Sequence, residues 1–155
     1  MRIRPFEQAD APVCEAILRA LPAWFGIETA IVQYCRDLQT MDTYVAEVDG
    51  EVAGFSTLKR HTPCAAEIHL IAVVEAQHRQ GTGRRLVEHI EGVVRTEAVE
   101  FLQVKTLGPS KPDRRYAGTR RFYETMGFRP LEETNLWGPE NPCLIMVKHL
   151  AYGGA

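Results

Sequence analysis

The chain has 155 residues, of which 45% are apolar and 25% are charged, and its formal net charge is −2. This length suits one domain that buries roughly 68–70% of its unfolded surface, so we expect residues 1–155 to form a single domain. The small negative charge gives no general attraction to nucleic acid or anionic membrane, so we expect neither as a partner. No apolar run approaches the roughly 20 residues that span a bilayer.

The N-terminus and the cysteines indicate the compartment. No apolar signal region follows Met1, which favours a cytoplasmic protein. The four cysteines, Cys14, Cys35, Cys64 and Cys143, are scattered, with no Cys-x-x-Cys pair and no nearby histidine spacing. We therefore expect no zinc or other metal site and no structural disulfide.

Strand, helix and turn patterns divide the first 65 residues. Asp10 is expected to cap a helix that Pro22 ends, and a second helix follows an apolar connector. Asp49-Gly50 is a strong signal for the two-residue turn of a hairpin. The predicted spans are a strand over 1–6, helices over 11–21 and 27–38, strands over 43–48 and 51–59, and a loop over 59–65.

The stretch 67–88 carries the clearest functional signal. An apolar run, Ile68–Val74, predicts a buried strand, and a polar turn then leads to Gly81-Thr82-Gly83 at the start of an amphipathic helix. The first turn of a helix has amide groups without intrahelical partners, and glycines let an anion approach them closely. We therefore predict a phosphate-binding turn, with a plain turn between strand and helix as the alternative.

Neither common nucleotide motif fits this turn. A Walker A motif would need four residues between its glycines, followed by Lys and then Ser or Thr. The dinucleotide fingerprint would need a small residue where Leu86 stands. The phosphate ligand must therefore belong to another class.

The second half of the chain predicts two more helices and three strands. Gly127 is expected to be a left-handed cap, with Phe128 as its apolar partner. The last strand is apolar at every position, so we expect both of its faces to be covered. The predicted spans are a helix from Gly83 to residue 96 or 98, a strand over 101–106, a helix over 113–126, and strands over 129–136 and 143–147.

Two segments resemble motifs of the GNAT N-acetyltransferase superfamily. The run from His78 to Gly83, preceded by Ile71-Ala72-Val73, resembles its acetyl-CoA motif, Arg/Gln-x-x-Gly-x-Gly/Ala, with His78 in place of Arg or Gln. The run from Thr119 to Phe128 resembles the second motif, small-x-x-Phe-Tyr-x-x-x-Gly-Phe, with Thr119 in place of the usual Ala. The motifs lie about forty residues apart in the family's order, with the expected strand between them, so the resemblance spans nearly the whole chain.

The resemblance implies both a fold and a reaction. The fold is α/β, with a mixed sheet of about seven mostly antiparallel strands, about four helices and splayed central strands. The reaction is transfer of an acetyl group from acetyl-CoA, without a metal, to the primary amine of a small molecule or peptide by direct attack. A non-catalytic acyl-CoA sensor on the same fold is the alternative. The family often pairs as dimers, so a homodimer is a candidate assembly.

The resemblance also assigns roles to residues of this sequence. Glu67 is the first candidate for the base, and partial burial would have to raise its pKa; a strand-edge glutamate in solvent is the alternative interpretation. His69, on the same face of the strand, is the second candidate for the base. Tyr123 is the candidate acid, with a core aromatic as the alternative interpretation. The implied acetyl-CoA contacts are Ile71, Ala72, Val73, His78, Arg79, Gln80, Gly81, Thr82, Gly83, Arg84, Thr119 and Phe122.

Two aromatic segments are candidates for binding the acceptor. Trp24 and Phe25 match the place where the family binds acceptors, and they either pack between helices or form a lid. Trp137 and Asn141, between the last two predicted strands, either rim the acceptor pocket or belong to an ordinary turn.

Overall fold

The computed structural model describes residues 1–150, and within them it has seven strands and four α-helices. Single 3₁₀ turns over Gln8–Asp10 and Glu75–Gln77 precede α1 and α3. The elements are β1 Arg2–Pro5, α1 Ala11–Arg19, α2 Glu28–Thr40, β2 Asp42–Val48, β3 Glu51–Thr62, β4 Ala65–Val73, α3 Thr82–Thr96, β5 Phe101–Leu107, α4 Arg114–Thr125, β6 Arg129–Thr134 and β7 Cys143–His149.

The strands follow the order β1-β2-β3-β4-β5-β7-β6 in one sheet. The pairs β1–β2, β2–β3, β5–β7 and β6–β7 are antiparallel. The last strand, β7, lies between β5 and β6 and is therefore an interior strand of the sheet; its first five residues, 143–147, are apolar and buried or half-buried. The predicted fold class is confirmed, while the splay of the central strands stays a prediction.

The chain divides into two compact units. The first comprises Met1–Lys59 and Ile68–Val93. The second comprises Arg60–Glu67 and Val94–Ala155, of which the last five residues lie outside the described part. That residues 1–155 behave as a single domain stays a prediction.

Helices α1 and α2 cover the first unit's core with one apolar face each. Because apolar residues recur every three or four positions in both helices, one side of each can pack against β2, β3 and β4. The buried core of this unit consists of Cys14, Ile17, Leu18, Leu21, Ile31, Leu38, Val45, Phe55, Leu70 and Ala72.

Two turn predictions are confirmed by the backbone. Asp49 and Gly50 have φ values of 53° and 82°, which is the left-handed geometry of a tight hairpin turn. Gly127 has a φ of 97° and ends α4. The Phe128 amide donates to the Tyr123 carbonyl at 3.0 Å, and the Phe128 ring is fully buried, as the cap motif requires.

Three local predictions were wrong. Asp10 does not cap α1 with its side chain, because its carboxylate instead accepts hydrogen bonds from Arg4 and from the Glu7 amide. Helix α1 ends at Arg19, before Leu21. Residues 60–62 are strand rather than loop, because the hairpin turn is only two residues long, between Thr62 and Ala65.

Candidate active site

The turn between β4 and α3 has an open backbone. Gly81 has a φ of 87°, and a Cβ added there would meet no atom within 4 Å. The Arg85 amide donates to the Gly81 carbonyl at 3.0 Å, so the amides that precede Arg85 fall in the first helical turn, where no intrahelical acceptor exists. Arg79, Gln80 and Arg84 are exposed around this turn, whereas Thr82 is buried beneath it.

The end of β4 is held close to β3 by Gly54. A Cβ at Gly54 would lie 2.9 Å from the Ala72 carbonyl oxygen and 3.3 Å from the Val73 Cα atom. Only glycine therefore permits this approach of the two strands at Ala72–Val73. The Val74 amide donates to the Ala53 carbonyl at 2.8 Å and fixes the exit of β4.

His78 ties the turn back to the strand. Its Nε2 lies 2.7 Å from the Val73 carbonyl oxygen, and because a carbonyl only accepts, Nε2 carries the proton. Trp24 packs edge-on against the His78 ring at 5.6 Å. This contact and the packing of Trp24 and Phe25 against the core fit the packing interpretation; the lid stays a prediction.

His69 lies in a second aromatic group of the same unit. Its Nε2 is 2.8 Å from Asp37 Oδ2, and its ring meets Tyr34 edge-on at 5.9 Å. Tyr34 in turn meets Phe25 at 6.0 Å. The strand β4 and the helix α2 are thus joined at His69 by an imidazole–carboxylate pair.

Glu67 is the centre of a polar cluster in the other unit. Three donors meet its Oε1: His61 Nε2 at 2.6 Å, Gln103 Nε2 at 2.9 Å and Lys105 Nζ at 3.1 Å. Oε2 has no such donor among residues 1–150. The Glu67 residue is only 2% exposed, whereas the His61 side chain is 31% exposed. The carboxylate is therefore buried, but its partners reach solvent.

The pKa of Glu67 is lower than its usual value. Burial alone would raise it, but the hydrogen bonds from Gln103 and His61, together with the charge and hydrogen bond of Lys105, outweigh burial. The condition that the sequence set for Glu67 as the base, a pKa raised by burial, is therefore not met. The reason is that its neighbours are donors rather than apolar groups.

Tyr123 is buried in the second motif. Its ring packs against Phe122 at 5.3 Å and Phe128 at 5.6 Å, and burial, with a smaller contribution from Tyr116, raises the pKa of its phenol. Because its pKa is raised, the phenol stays protonated throughout the neutral range. Thr119, one turn earlier on α4, donates through its hydroxyl to the Arg115 carbonyl.

The chain between β6 and β7 exposes an aromatic side chain. Trp137 is 41% exposed, and Asn141 Oδ1 accepts from Lys111 Nζ at 3.2 Å. Asn141 is thereby linked to the loop after β5, also in the second unit. The roles of both residues in acceptor binding stay predictions.

No group of three potential metal ligands occurs within the described residues. The four cysteines are free thiols, and burial raises the pKa of Cys143.

None of the helices within residues 1–150 combines the length and the apolar content that crossing a membrane requires.

A family model described as Acetyltransferase (GNAT) domain matches residues 39–130, more than half of the chain. The chain belongs to the GNAT acetyltransferase family. The matched segment contains β4, the open turn and α4, so the geometry described above lies where the family motifs were identified.

Relatives of this GNAT chain agree with the match. It is 31% identical over 103 residues to an uncharacterized N-acetyltransferase of Chlorobaculum tepidum, covering 66% of this chain and only 56% of the length of that curated relative. Its fold is similar to a putative GNAT-family acetyltransferase of Desulfovibrio desulfuricans, with a TM-score of 0.84, 20% identity and coverage of 97% and 99% of the two chains. It is also similar to a GNAT-family acetyltransferase of Elizabethkingia anophelis with acetyl-CoA bound, with a TM-score of 0.73, 20% identity and coverage of 96% and 97%.

Several residues of the candidate active site were not predicted from the sequence. Gly54 carried a usable signal, because a glycine inside a strand often marks a close approach of two backbones. Gln103 and Lys105 alternate along β5 and so share a face, but the sequence does not reveal that this face meets Glu67. Asp37 is one of several polar residues on α2, and only the fold places it beside His69.

Proposed function

We propose that this protein is an acetyl-CoA-dependent N-acetyltransferase that acts on a primary amine. The open turn at Gly81 carries this proposal, because it lies within the segment that the GNAT family model matches. First-turn amides and exposed arginines are the groups that hold a diphosphate. The acceptor would be a small molecule or a peptide with a free amine.

The cosubstrate would extend from this turn along β4. The amides from Gly81 to Arg84 would contact the diphosphate, and the end of the strand, Ile71–Val73, would contact the pantetheine and the acetyl oxygen. Amide donors aimed at the carbonyl oxygen stabilise the charge that develops there during attack. Holding amine and thioester together can contribute roughly 7–11 kcal/mol toward the barrier.

Glu67 would receive the acceptor as an ammonium ion. Its anionic carboxylate offers Oε2 for this contact, while Oε1 is already held by three donors. Because those donors lower its pKa, Glu67 is better suited to binding an ammonium than to removing a proton from it. Its role as the base stays a prediction.

The acetyl group would pass directly from sulfur to nitrogen. In such a step, the amine loses a proton, a C–N bond forms, the C–S bond breaks and the departing sulfur takes up a proton. Tyr123 would donate a hydrogen bond or proton to that sulfur. An acyl-enzyme on Cys143 is disfavoured, because this thiol is buried and its raised pKa keeps it protonated.

A thiol-release assay with acetyl-CoA and a panel of amines tests the proposal. We expect release of CoA that depends on the amine, and mass spectrometry should find a gain of one acetyl group on the amine. The Glu67→Gln variant should raise the KM for the amine about tenfold or more, whereas the exposed Glu132→Gln variant should not. Absence of both turnover and CoA binding by calorimetry would refute the proposal.

A non-catalytic acyl-CoA sensor is the second candidate. It is favoured by the opposite pKa shifts of Glu67 and Tyr123, which move both groups away from easy proton exchange near neutral pH. This function predicts tight binding of acetyl-CoA without transfer to any amine. Turnover that is sensitive to substitution in the site would exclude it.

A further inference from the structure

We propose that Trp24 is a positioning residue for the turn between β4 and α3, and that it acts on this turn through His78. The inference rests on the proposed function, because it takes the turn as the site that holds the CoA diphosphate. It assigns Trp24 to cosubstrate binding, whereas the family resemblance implied a role in acceptor binding.

The backbone of this turn has a left-handed residue on each side of Gln80. Arg79 has a φ of 62° and Gly81 a φ of 87°. Glycine adopts this region without steric cost, but an arginine stays there only where the surrounding structure holds it. Within the turn, the Gln80 amide donates to the Gln77 carbonyl at a long 3.3 Å. The conformation of the turn therefore depends on contacts from outside these residues.

His78 makes such a contact, immediately before Arg79. Its Nε2–H group donates to the Val73 carbonyl at 2.7 Å and closes the turn on the end of β4. The Val74 amide donates to Ala53 on β3, and successive residues of a strand direct their polar groups to opposite edges, so the Val73 carbonyl lies on the edge away from β3. Because Nε2 is engaged within the protein, this nitrogen fixes the turn rather than contacting the diphosphate.

Trp24 holds the imidazole in the orientation that this hydrogen bond requires. The two rings meet edge-on with their centroids 5.6 Å apart, and both residues are half-buried. A histidine ring can change rotamer unless a neighbour occupies the space, and an indole does so at little entropic cost because it has only two side-chain torsions. Loss of the indole would therefore free His78 and, with it, the turn.

The connector that carries Trp24 has a fixed backbone of its own. The amides of Trp24 and Phe25 both donate to the Leu21 carbonyl, at 3.0 and 2.9 Å. A Cβ at Gly26 would lie 2.9 Å from the Pro22 carbonyl oxygen, so only glycine permits the chain to close this tightly. The indole thus projects from a rigid segment, as a positioning role requires.

Calorimetric titration with CoA, without an acceptor, tests the inference. Trp24→Leu should raise the Kd for CoA by about tenfold or more, because binding must then also order the turn. Trp24→Phe keeps a ring against His78 and should recover most of the affinity. Tyr44→Leu is the matched control: it removes the edge-on contact of Tyr44, on β2, with His89, two helical turns into α3. Its Kd should stay within about twofold of the wild type.

A double-mutant cycle determines whether Trp24 acts through His78. His78→Ala should also raise the Kd for CoA by about tenfold or more, and adding Trp24→Leu to it should change the Kd by less than about twofold. Thermal unfolding of the ligand-free variants measures the loss of packing separately, and this loss should be similar in Trp24→Leu and Tyr44→Leu. A loss of packing alone would weaken CoA binding in neither variant or in both.

The indole resonances provide a measurement that needs no destabilised protein. The chain has two tryptophans, Trp24 and Trp137, so a ¹H–¹⁵N spectrum contains two indole signals, which a Trp137→Phe variant assigns. Addition of CoA should shift the Trp24 signal, because ordering of the turn moves the His78 ring beside it. An unchanged Trp24 signal at saturating CoA would contradict the link between the indole and the turn.

The outcomes separate this inference from the proposed function. If the wild type binds CoA and Trp24→Leu binds it equally well, or if the losses in the cycle are additive, the positioning role is overturned and the proposed acetyl transfer stands. A wild type that does not bind CoA would overturn both. Weaker binding in Trp24→Leu, recovery in Trp24→Phe and no effect in Tyr44→Leu would together establish the positioning role.

Discussion

Glu67 and Tyr123, the base and the acid first assigned from the sequence, are both buried, but their pKa values shift in opposite directions. For Tyr123, whose neighbours are aromatic, burial raises the pKa. For Glu67, hydrogen bonds from Gln103 and His61 and the charge of Lys105 reverse the effect of burial. Both residues were identified from the sequence, but the lowered pKa of Glu67 could not be predicted, because its partners lie on β3 and β5 and only the fold brings them next to it.

The Tyr123→Phe variant tests the acid role. It removes only the hydroxyl, so kcat should fall by about 10²-fold or more if the phenol assists the departing sulfur, while the Kd for acetyl-CoA stays within twofold. Because its pKa is raised, the phenol should cause no loss of rate up to about pH 10. Thermal unfolding controls for packing, and an unchanged kcat with intact CoA binding would assign Tyr123 to the core.

At the scale of elements, the turn after β4 permits a matched comparison of two glycines. Gly81 and Gly50 have φ values of 87° and 82°, and neither has an atom within 4 Å of an added Cβ. Alanine at either position should therefore reduce the free energy of unfolding by a similar amount, about 1–2 kcal/mol.

CoA affinity should distinguish the two variants. Only Gly81→Ala places a methyl group beside amides that would contact the diphosphate, so its Kd for CoA should rise by about tenfold or more. Gly50→Ala should bind CoA like the wild type. Calorimetry measures the affinity of each variant for CoA, and urea unfolding measures its free energy of unfolding. Equal affinities of the two variants would exclude the turn as the diphosphate site.

The N-terminus of α4 depends on a side-chain cap. Asp113 Oδ1 accepts from the amides of Arg115 and Tyr116 at 3.0 Å each. Asp113→Ala should reduce the free energy of unfolding by about 0.5–2 kcal/mol, and Asp113→Asn by much less, because asparagine keeps the acceptor oxygen. Urea unfolding checks this, and equal losses in the two variants would argue against the hydrogen-bonded cap.

Turns and helix ends were predicted correctly where residues close together in the sequence determine the backbone conformation. The Asp49-Gly50 turn and the Gly127 cap follow from the left-handed backbone that only a few residues tolerate. The predicted cap at Asp10 was wrong because the Asp10 carboxylate accepts hydrogen bonds from the charged Arg4 side chain on β1 instead of from the amides of α1. The extension of β3 to Thr62 depends on pairing across the hairpin rather than on the propensity of its polar residues.

At the scale of the whole molecule, the family motifs predicted the fold class, which periodicity alone could not supply. The site was predicted less completely. Glu67 and His69 were named, but their partners His61, Lys105 and Asp37 lie 6, 38 and 32 positions away along the chain. Contacts over such separations are set by the fold.

The two units each contain a buried carboxylate with a lowered pKa, so acid should destabilise both. In the first unit, two guanidinium nitrogens of Arg4 donate to Asp10 at 2.8 and 2.9 Å, and the Glu7 amide adds a third bond at 2.8 Å. In the second, Glu67 has its three donors on Oε1. A folded-state pKa below the unfolded value of roughly 4 means that stabilisation is complete above that value and is lost as pH falls through the folded-state pKa.

Asp10→Asn and Glu67→Gln should each lower the free energy of unfolding at pH 7, by about 1–3 kcal/mol. This difference from the wild type should shrink at pH 3.5, because below the unfolded-state pKa the unfolded wild type gains a proton, which reduces the advantage of keeping the charged carboxylate in the folded state. Glu132→Gln, at an exposed position on β6, should match the wild type at both pH values. Urea unfolding at the two pH values measures the differences, and differences that do not change with pH would mean that packing, not charge, is the origin of the stabilisation.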